Sequence, residues 1–248
     1  MAMVAGAAAG YCFSDGDPRG LALGSAAYLL SNVLDCADGM IARLKHNGTK
    51  TGRIVDGMID YLVGAAVYIG LGIGLTKADY RLLPGFQCNA WIMVLVAAAS
   101  TAVQTMASDR YSRLFLAHEY GTSTTPENEI ETFTGELQRL NASAGHTLDK
   151  LLIRFYLRYS WLQAGTRPAR SAKQKTKPTR LMMALWNLIG PSTHVTALIV
   201  AGILNRPTVF FAYTIGVANV WMVLMLGLQA FTGRKAAARI VGQGIPPG

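Results

Sequence analysis

Charge is what this chain has least of. Asp, Glu, Lys and Arg together make 15% of its 248 residues, where a soluble domain carries about 25%. With 51% hydrophobic residues and a mean hydropathy of +0.28, the shortage excludes an ordinary soluble domain. It points instead to one membrane-embedded domain over residues 1–248. Acids are the scarcer sign, 14 against 23 basic residues, for a net charge of +9. Cysteine is scarce as well. Cys12, Cys36 and Cys88 form no C-x-x-C pair and sit in or beside apolar runs, which reads as small buried hydrophobes rather than a disulfide or thiolate metal site. His46, His118 and His146 show no metal-ligand spacing. The N-terminus lacks the basic segment of a cleavable signal peptide.

What the chain has in quantity is long apolar runs. Five reach the roughly 20 residues that a bilayer crossing needs: Leu21–Arg43, Arg53–Leu75, Asn89–Leu114, Leu181–Leu204 and Pro207–Phe231. Met1–Phe13 is apolar and rich in Ala and Gly but shorter; it reads as the latter half of a first helix, either short or part of a longer natural segment. If it crosses, the basic residues divide 19 to 4 between the two sides. The richer side is cytoplasmic by the positive-inside rule, and both termini lie on it. The expected fold class is all-α: a polytopic membrane helical bundle of about six transmembrane helices, the first short or truncated, plus a cytoplasmic amphipathic helix.

That helix belongs to a cytoplasmic insertion at about 115–180. Thr125-Pro126-Glu127 resembles a helix start, with a capping residue, an early proline and acids in the first turn. In residues 148–163, Lys150, Arg154 and Arg158 recur at i, i+4, i+8, while Leu151, Leu152, Phe155, Tyr159 and Leu162 gather elsewhere on the surface. The pattern suits an interfacial helix on membrane lipids or one packed against the bundle. Residues 165–180 read as a basic linker attracted to anionic lipid. No aromatic residues interleave its charges, so no nucleic acid is expected as a partner.

Against this apolar background, residues 35–60 carry four aspartates, Asp35, Asp38, Asp56 and Asp60, on two of the spans. An ionised Asp at the bilayer centre costs about 2.5 to 3.5 kcal/mol on insertion scales. Four together repel unless a cation lies among them, and metal among carboxylates points to phosphate chemistry. Asp35 lies eight residues before Arg43 and Asp60 eight after Gly52, so both sit roughly 12 Å from the cytoplasmic helix ends. Asp35 and Asp38 are i, i+3; Asp56 and Asp60 are i, i+4. Four carboxylates then converge at one depth, a set that suits two Mg²⁺ ions. Gly39, Ala42, Gly52 and Gly57 remove bulk where a ligand approaches, and Arg43 can grip a phosphate. Glycines also permit close helix packing.

Asp35, Asp38, Gly39, Ala42, Arg43, Gly52, Asp56 and Asp60 fit the pattern D-x2-D-G-x2-A-R-x8-G-x3-D-x3-D in every fixed position. The segment resembles the signature of the CDP-alcohol phosphotransferase family, integral-membrane phospholipid synthases. The signature covers about a tenth of the chain and is highly specific. The resemblance implies a CDP-linked donor bound from the cytoplasmic side, with two divalent ions, Mg²⁺ or Mn²⁺, held by Asp35, Asp38, Asp56 and Asp60. It implies Asp60 as general base and Gly39, Ala42, Arg43 and Gly52 at the donor nucleotide. A homodimer is also a family expectation; Gly64, Ala65, Ala66 and Gly70 offer a close-packing surface that could equally serve within one chain.

The favoured reading is transfer of a phosphatidyl group from CDP-diacylglycerol to a small polar alcohol, releasing CMP. A phosphorylated acceptor such as inositol phosphate or glycerol 3-phosphate is preferred, because Arg110 and Arg113 end the fourth span at i, i+3. Ser192 and His194, beside a kink expected at Pro191, are further acceptor candidates. One alternative moves phosphocholine or phosphoethanolamine from its CDP-alcohol to diacylglycerol. Another, outside enzymes, is a cation transporter, which explains buried carboxylates but not Gly39, Ala42 and Arg43 at that spacing.

Overall fold

The computed structural model describes the backbone of residues 1–45, 50–80, 89–120, 126–142, 150–151, 153–154, 156–158 and 179–242. Among these residues there are helices and turns and no strand. The order is α1 (Ala2–Phe13), α2 (Pro18–Leu44), α3 (Lys50–Lys77), α4 (Ala90–Tyr120), α5 (Pro126–Ala142), α6 (Arg180–Asn187), α7 (Pro191–Ile203), α8 (Pro207–Phe211), a π-helical stretch (Ala212–Val217) and α9 (Ala218–Gly242). Among the described residues, five segments are long and apolar enough to cross a membrane: Pro18–Ile41, Gly57–Lys77, Ala90–Leu116, Arg180–Ile203 and Pro207–Thr232. They fall within a few residues of the expected spans. α1, with 12 residues, is shorter. The protein is an all-α integral membrane bundle. Apolar side chains such as Leu95, Val220 and Val223 are mostly exposed, as lipid contact requires.

The chain forms two compact units, Met1–Ala102 with Ser192–Gly216, and Val103–Pro191 with Val217–Gly248. In the first, α1 packs on both α2 and α3 through small residues. A methyl group at Gly10 would sit 2.5 Å from the Ala66 carbonyl oxygen, and one at Gly70 would overlap the Gly10 carbonyl. Such glycines let two backbones meet where lipid supplies no hydrophobic drive. Ala66 and Gly70 are therefore used within the chain, whereas a methyl at Gly64 would meet nothing within 4 Å. The α1–α2 turn needs Gly16 at φ +77, and the Asp17 carboxylate accepts from Gly20 N at 2.6 Å, closing the first turn of α2. Phe13 is fully buried in a core with Leu21, Val67, Leu71, Ala97, Leu198 and Phe210. A hydroxyl pair, Tyr80 with Thr208, ties the end of α3 to α8.

The second unit is held by polar contacts along one face of α4. Gln104, Ser108 and Tyr111 recur at i, i+4, i+7. Gln104 donates to Asn219 of α9 at 2.8 Å, and Ser108 donates to the Trp186 carbonyl of α6 at 3.1 Å. Tyr111 stacks on Trp186 and accepts from Thr179 N, while Trp221 donates to the Leu185 carbonyl. α5 starts at Pro126, as the proline-and-acid pattern predicts. The described residues within 150–158 are helical, with Ile153 buried and Tyr156 edge-on to Phe133 of α5. This side packs on protein. Leu151, assigned by the sequence to the apolar face, is half exposed; Leu152, Phe155, Tyr159 and Leu162 lie outside the described residues, as does the 165–178 linker.

Two local expectations change. Pro191 does not kink one continuous helix: α6 ends at Asn187, and Pro191 opens α7, a position where its missing N–H costs nothing. Cys36 is exposed rather than buried, Cys12 is half-buried, and Cys88 lies outside the described residues.

Candidate active site

The aspartate-bearing parts of α2 and α3 lie toward the connection between these helices. Counted at 1.5 Å per residue, Asp35 lies about 13 Å before the end of α2 and Asp60 about 15 Å after the start of α3. α1 fixes the register between them: Ser31 Oγ donates to the Ala2 carbonyl at 2.8 Å, and Gly6 abuts Val63. Asp35 thus follows one turn after Ser31, and Asp60 sits just before Val63. Asp35 is half-buried, while Asp38 and Asp60 are exposed. The side chains of Ala42, Arg43, Gly52 and Asp56 lie outside the described residues.

All the ligand candidates are carboxylates, the donor type that Mg²⁺ and Mn²⁺ prefer. Among the described residues no three such groups come together as a finished metal site; Asp35, Asp38 and Asp60 are three of four, and Asp56 is the fourth. The chemistry of the set fits a divalent ion.

The other candidates are placed as follows. Arg110 is exposed and makes no ion pair among the described residues. Arg113 is paired with Asp109 at 2.9 Å, which neutralises part of the charge available to a ligand. Ser192 is exposed at the start of α7, and its carbonyl accepts from Thr196 Oγ1 at 2.8 Å. His194 is buried, its ring centroid 5.5 Å from that of Tyr213.

The family model for CDP-alcohol phosphatidyltransferase matches residues 2–134, more than half of the chain, and these include α1 to α4 and every aspartate of the motif. The chain belongs to the CDP-alcohol phosphatidyltransferase family. Searches of curated proteins and of solved structures each returned no match. Family members are transferases that move a phosphatidyl or phosphoalcohol group from a CDP-alcohol to an alcohol acceptor, generally with a divalent metal. The transferase is accordingly a membrane enzyme of phospholipid biosynthesis.

One feature of this transferase escaped the sequence reading. Tyr28, Asn32 and Asp35 stand at i, i+4, i+7, on one face of α2. The register is visible in the sequence, but neutral side chains carry no charge at membrane depth to set them apart.

Proposed function

We propose that this transferase is a phospholipid synthase moving the phosphatidyl group of CDP-diacylglycerol to the hydroxyl of a small polar alcohol. What supports the reading is the α2–α3 pair, which carries Asp35, Asp38 and Asp60 on the parts of these helices nearest their connection, in an integral membrane member of this family. Asp35, Asp38, Asp56 and Asp60 would hold the metal, two Mg²⁺ or Mn²⁺ ions, which would supply positive charge to neutralise the donor's diphosphate. Gly39, Ala42 and Gly52 leave room for the nucleotide, and Arg43 pairs with a phosphate. Asp60 accepts the proton of the acceptor hydroxyl. The hydroxyl oxygen bonds to the phosphorus distal to cytidine, the bond from that phosphorus to the bridging oxygen breaks, and CMP leaves with that oxygen.

Arg110 binds a phosphate on the acceptor. In support, Arg110 makes no ion pair among the described residues, whereas Arg113 is held by Asp109. The 19-to-4 division of basic residues supports a cytoplasmic active site and cytoplasmic termini. A homodimer is the expected assembly.

The test is CMP release by purified protein with Mg²⁺, CDP-diacylglycerol and a panel of alcohols that includes inositol phosphate and glycerol 3-phosphate. Release with a phosphorylated alcohol is expected. Release only with CDP-choline or CDP-ethanolamine and diacylglycerol would reverse donor and acceptor. Ion uptake into liposomes without CMP release would replace the enzyme reading by transport.

A further inference from the structure

The basic residues of this chain are not spread evenly along it. α5 carries Glu127, Glu129, Glu131 and Glu136 against a single Arg139, whereas residues 150–180 are rich in Lys and Arg and contain no Asp or Glu. The described part of that basic stretch, within residues 150–158, is helical. One side of it is taken. Ile153 is buried, and Tyr156 meets the buried Phe133 of α5 edge-on, with ring centroids 4.7 Å apart. Leu151, Arg154 and Arg158 are exposed. They stand at i, i+3 and i+7, which is one helix face. A step of two residues turns a helix by about 200°. Leu151 stands two residues from Ile153, and each arginine stands two residues from Tyr156. The exposed face therefore lies opposite the face packed on α5.

Both ends of the region are tied to the membrane. α4 leaves its span at Leu116 and ends at Tyr120, and α5 begins at Pro126. A connection of that length reaches at most about 20 Å, so α5 starts close to the membrane surface. The basic stretch ends at Arg180, where the next span begins. Arg154 and Arg158 make no ion pair among the described residues.

The partner chemistry follows from this face and its tether. Two cations side by side suit a surface of phosphate groups. A half-exposed leucine on the same face suits an apolar boundary beneath those phosphates, and arginine stems lie along such a boundary while their heads stay at the charge. A nucleic acid offers the phosphates but no place for the leucine. We propose that the 150–158 segment docks on anionic lipid headgroups of the membrane that holds the protein, through Leu151, Arg154 and Arg158. The inference goes beyond the transfer reaction and uses the cytoplasmic orientation proposed above only to name the leaflet. Each Lys or Arg near an anionic leaflet favours association about fivefold, so two arginines favour docking about 30-fold over a neutral membrane. Leu151 contributes equally on either lipid.

The test is amide hydrogen exchange of residues 150–158 in the full-length protein, held in nanodiscs of phosphatidylcholine alone or with added phosphatidylglycerol. Both leaflets then carry the same lipids, so the result depends neither on orientation nor on the transfer reaction. Docking of the helix suppresses its opening, so phosphatidylglycerol should slow exchange by up to about 30-fold at low salt. Salt at about 1 M, where screening acts within about 3 Å, should remove most of that slowing. Arg154→Gln with Arg158→Gln should abolish the lipid dependence, and Arg154→Lys with Arg158→Lys should keep it. Both arginines are exposed, so each double variant should match the wild-type unfolding midpoint in detergent, and the wild-type comparison needs no variant. Exchange that is equal in the two lipid compositions, or a slowing that persists in the Gln pair, overturns the proposal. Slowing by added RNA with no effect of phosphatidylglycerol would assign the face to nucleic acid and overturn it as well.

Discussion

Replacing Gly10 by Ala tests whether α1 is held against α3 by backbone proximity. The added methyl would stand 2.5 Å from the Ala66 carbonyl oxygen and 2.8 Å from its carbon. Both atoms belong to helical backbone and cannot rotate away. Ordinary contact at roughly 3.3 Å requires the helices to part by about 0.8 Å, and a gap of that size forfeits about a quarter to a half of each close contact, worth ~0.1–0.2 kcal/mol apiece. Over the tens of atom pairs that two tightly packed helices share, the loss is about 1–3 kcal/mol, the usual range for an overfilled core. Thermal unfolding in detergent, followed by helical circular dichroism, should show a clear fall in midpoint. Gly227→Ala is the control, since nothing lies within 4 Å of a methyl there, and its midpoint should stay or rise. An unchanged midpoint for Gly10→Ala, matching the control, would refute the packing argument.

Further outcomes follow from the same structure. Asp60→Asn should lower CMP release by about 10²- to 10⁴-fold and weaken CDP-dependent protection against unfolding far less, since Asp35, Asp38 and Asp56 remain for the metal; loss of that protection in proportion to the loss of rate would contradict its role as the base. Arg110→Ala should raise the acceptor KM far more than the donor KM, and Arg113→Ala, already paired with Asp109, should do so less; an unchanged acceptor KM in Arg110→Ala sinks the assignment. Gln104→Leu removes the bond to Asn219 and should destabilise by about 0.6 to 2 kcal/mol, read as a lower unfolding midpoint. Chelation of divalent ions should abolish CMP release and excess Mg²⁺ or Mn²⁺ restore it; activity that survives chelation would contradict the carboxylate metal site.

Much of this architecture could be read from the residues. Runs of about 20 apolar residues have few alternatives in a chain with so little charge, so the spans emerged within a few residues of their positions. The aspartates stood out because carboxylates at membrane depth are expensive. Helix spacing alone gave Asp35 and Asp60 similar depth. Other features depend on partners distant in sequence. Whether Gly70 faces a second chain or α1 is undetermined until Gly10 is found against it. Pro191 looks alike in a kinked helix and at the start of a new one, because both tolerate a missing N–H. Arg110 and Arg113 look equivalent until Asp109 claims one of them.

The measurement that bears most directly on the central claim is CMP release by the wild-type and Asp60→Asn proteins, purified side by side, with Mg²⁺, CDP-diacylglycerol and a phosphorylated alcohol. The account predicts stoichiometric CMP and phosphodiester lipid from the wild type, at least a hundredfold less from the variant, and none without divalent metal. Equal release by the two proteins, or no release by either with any CDP-linked donor, would contradict it.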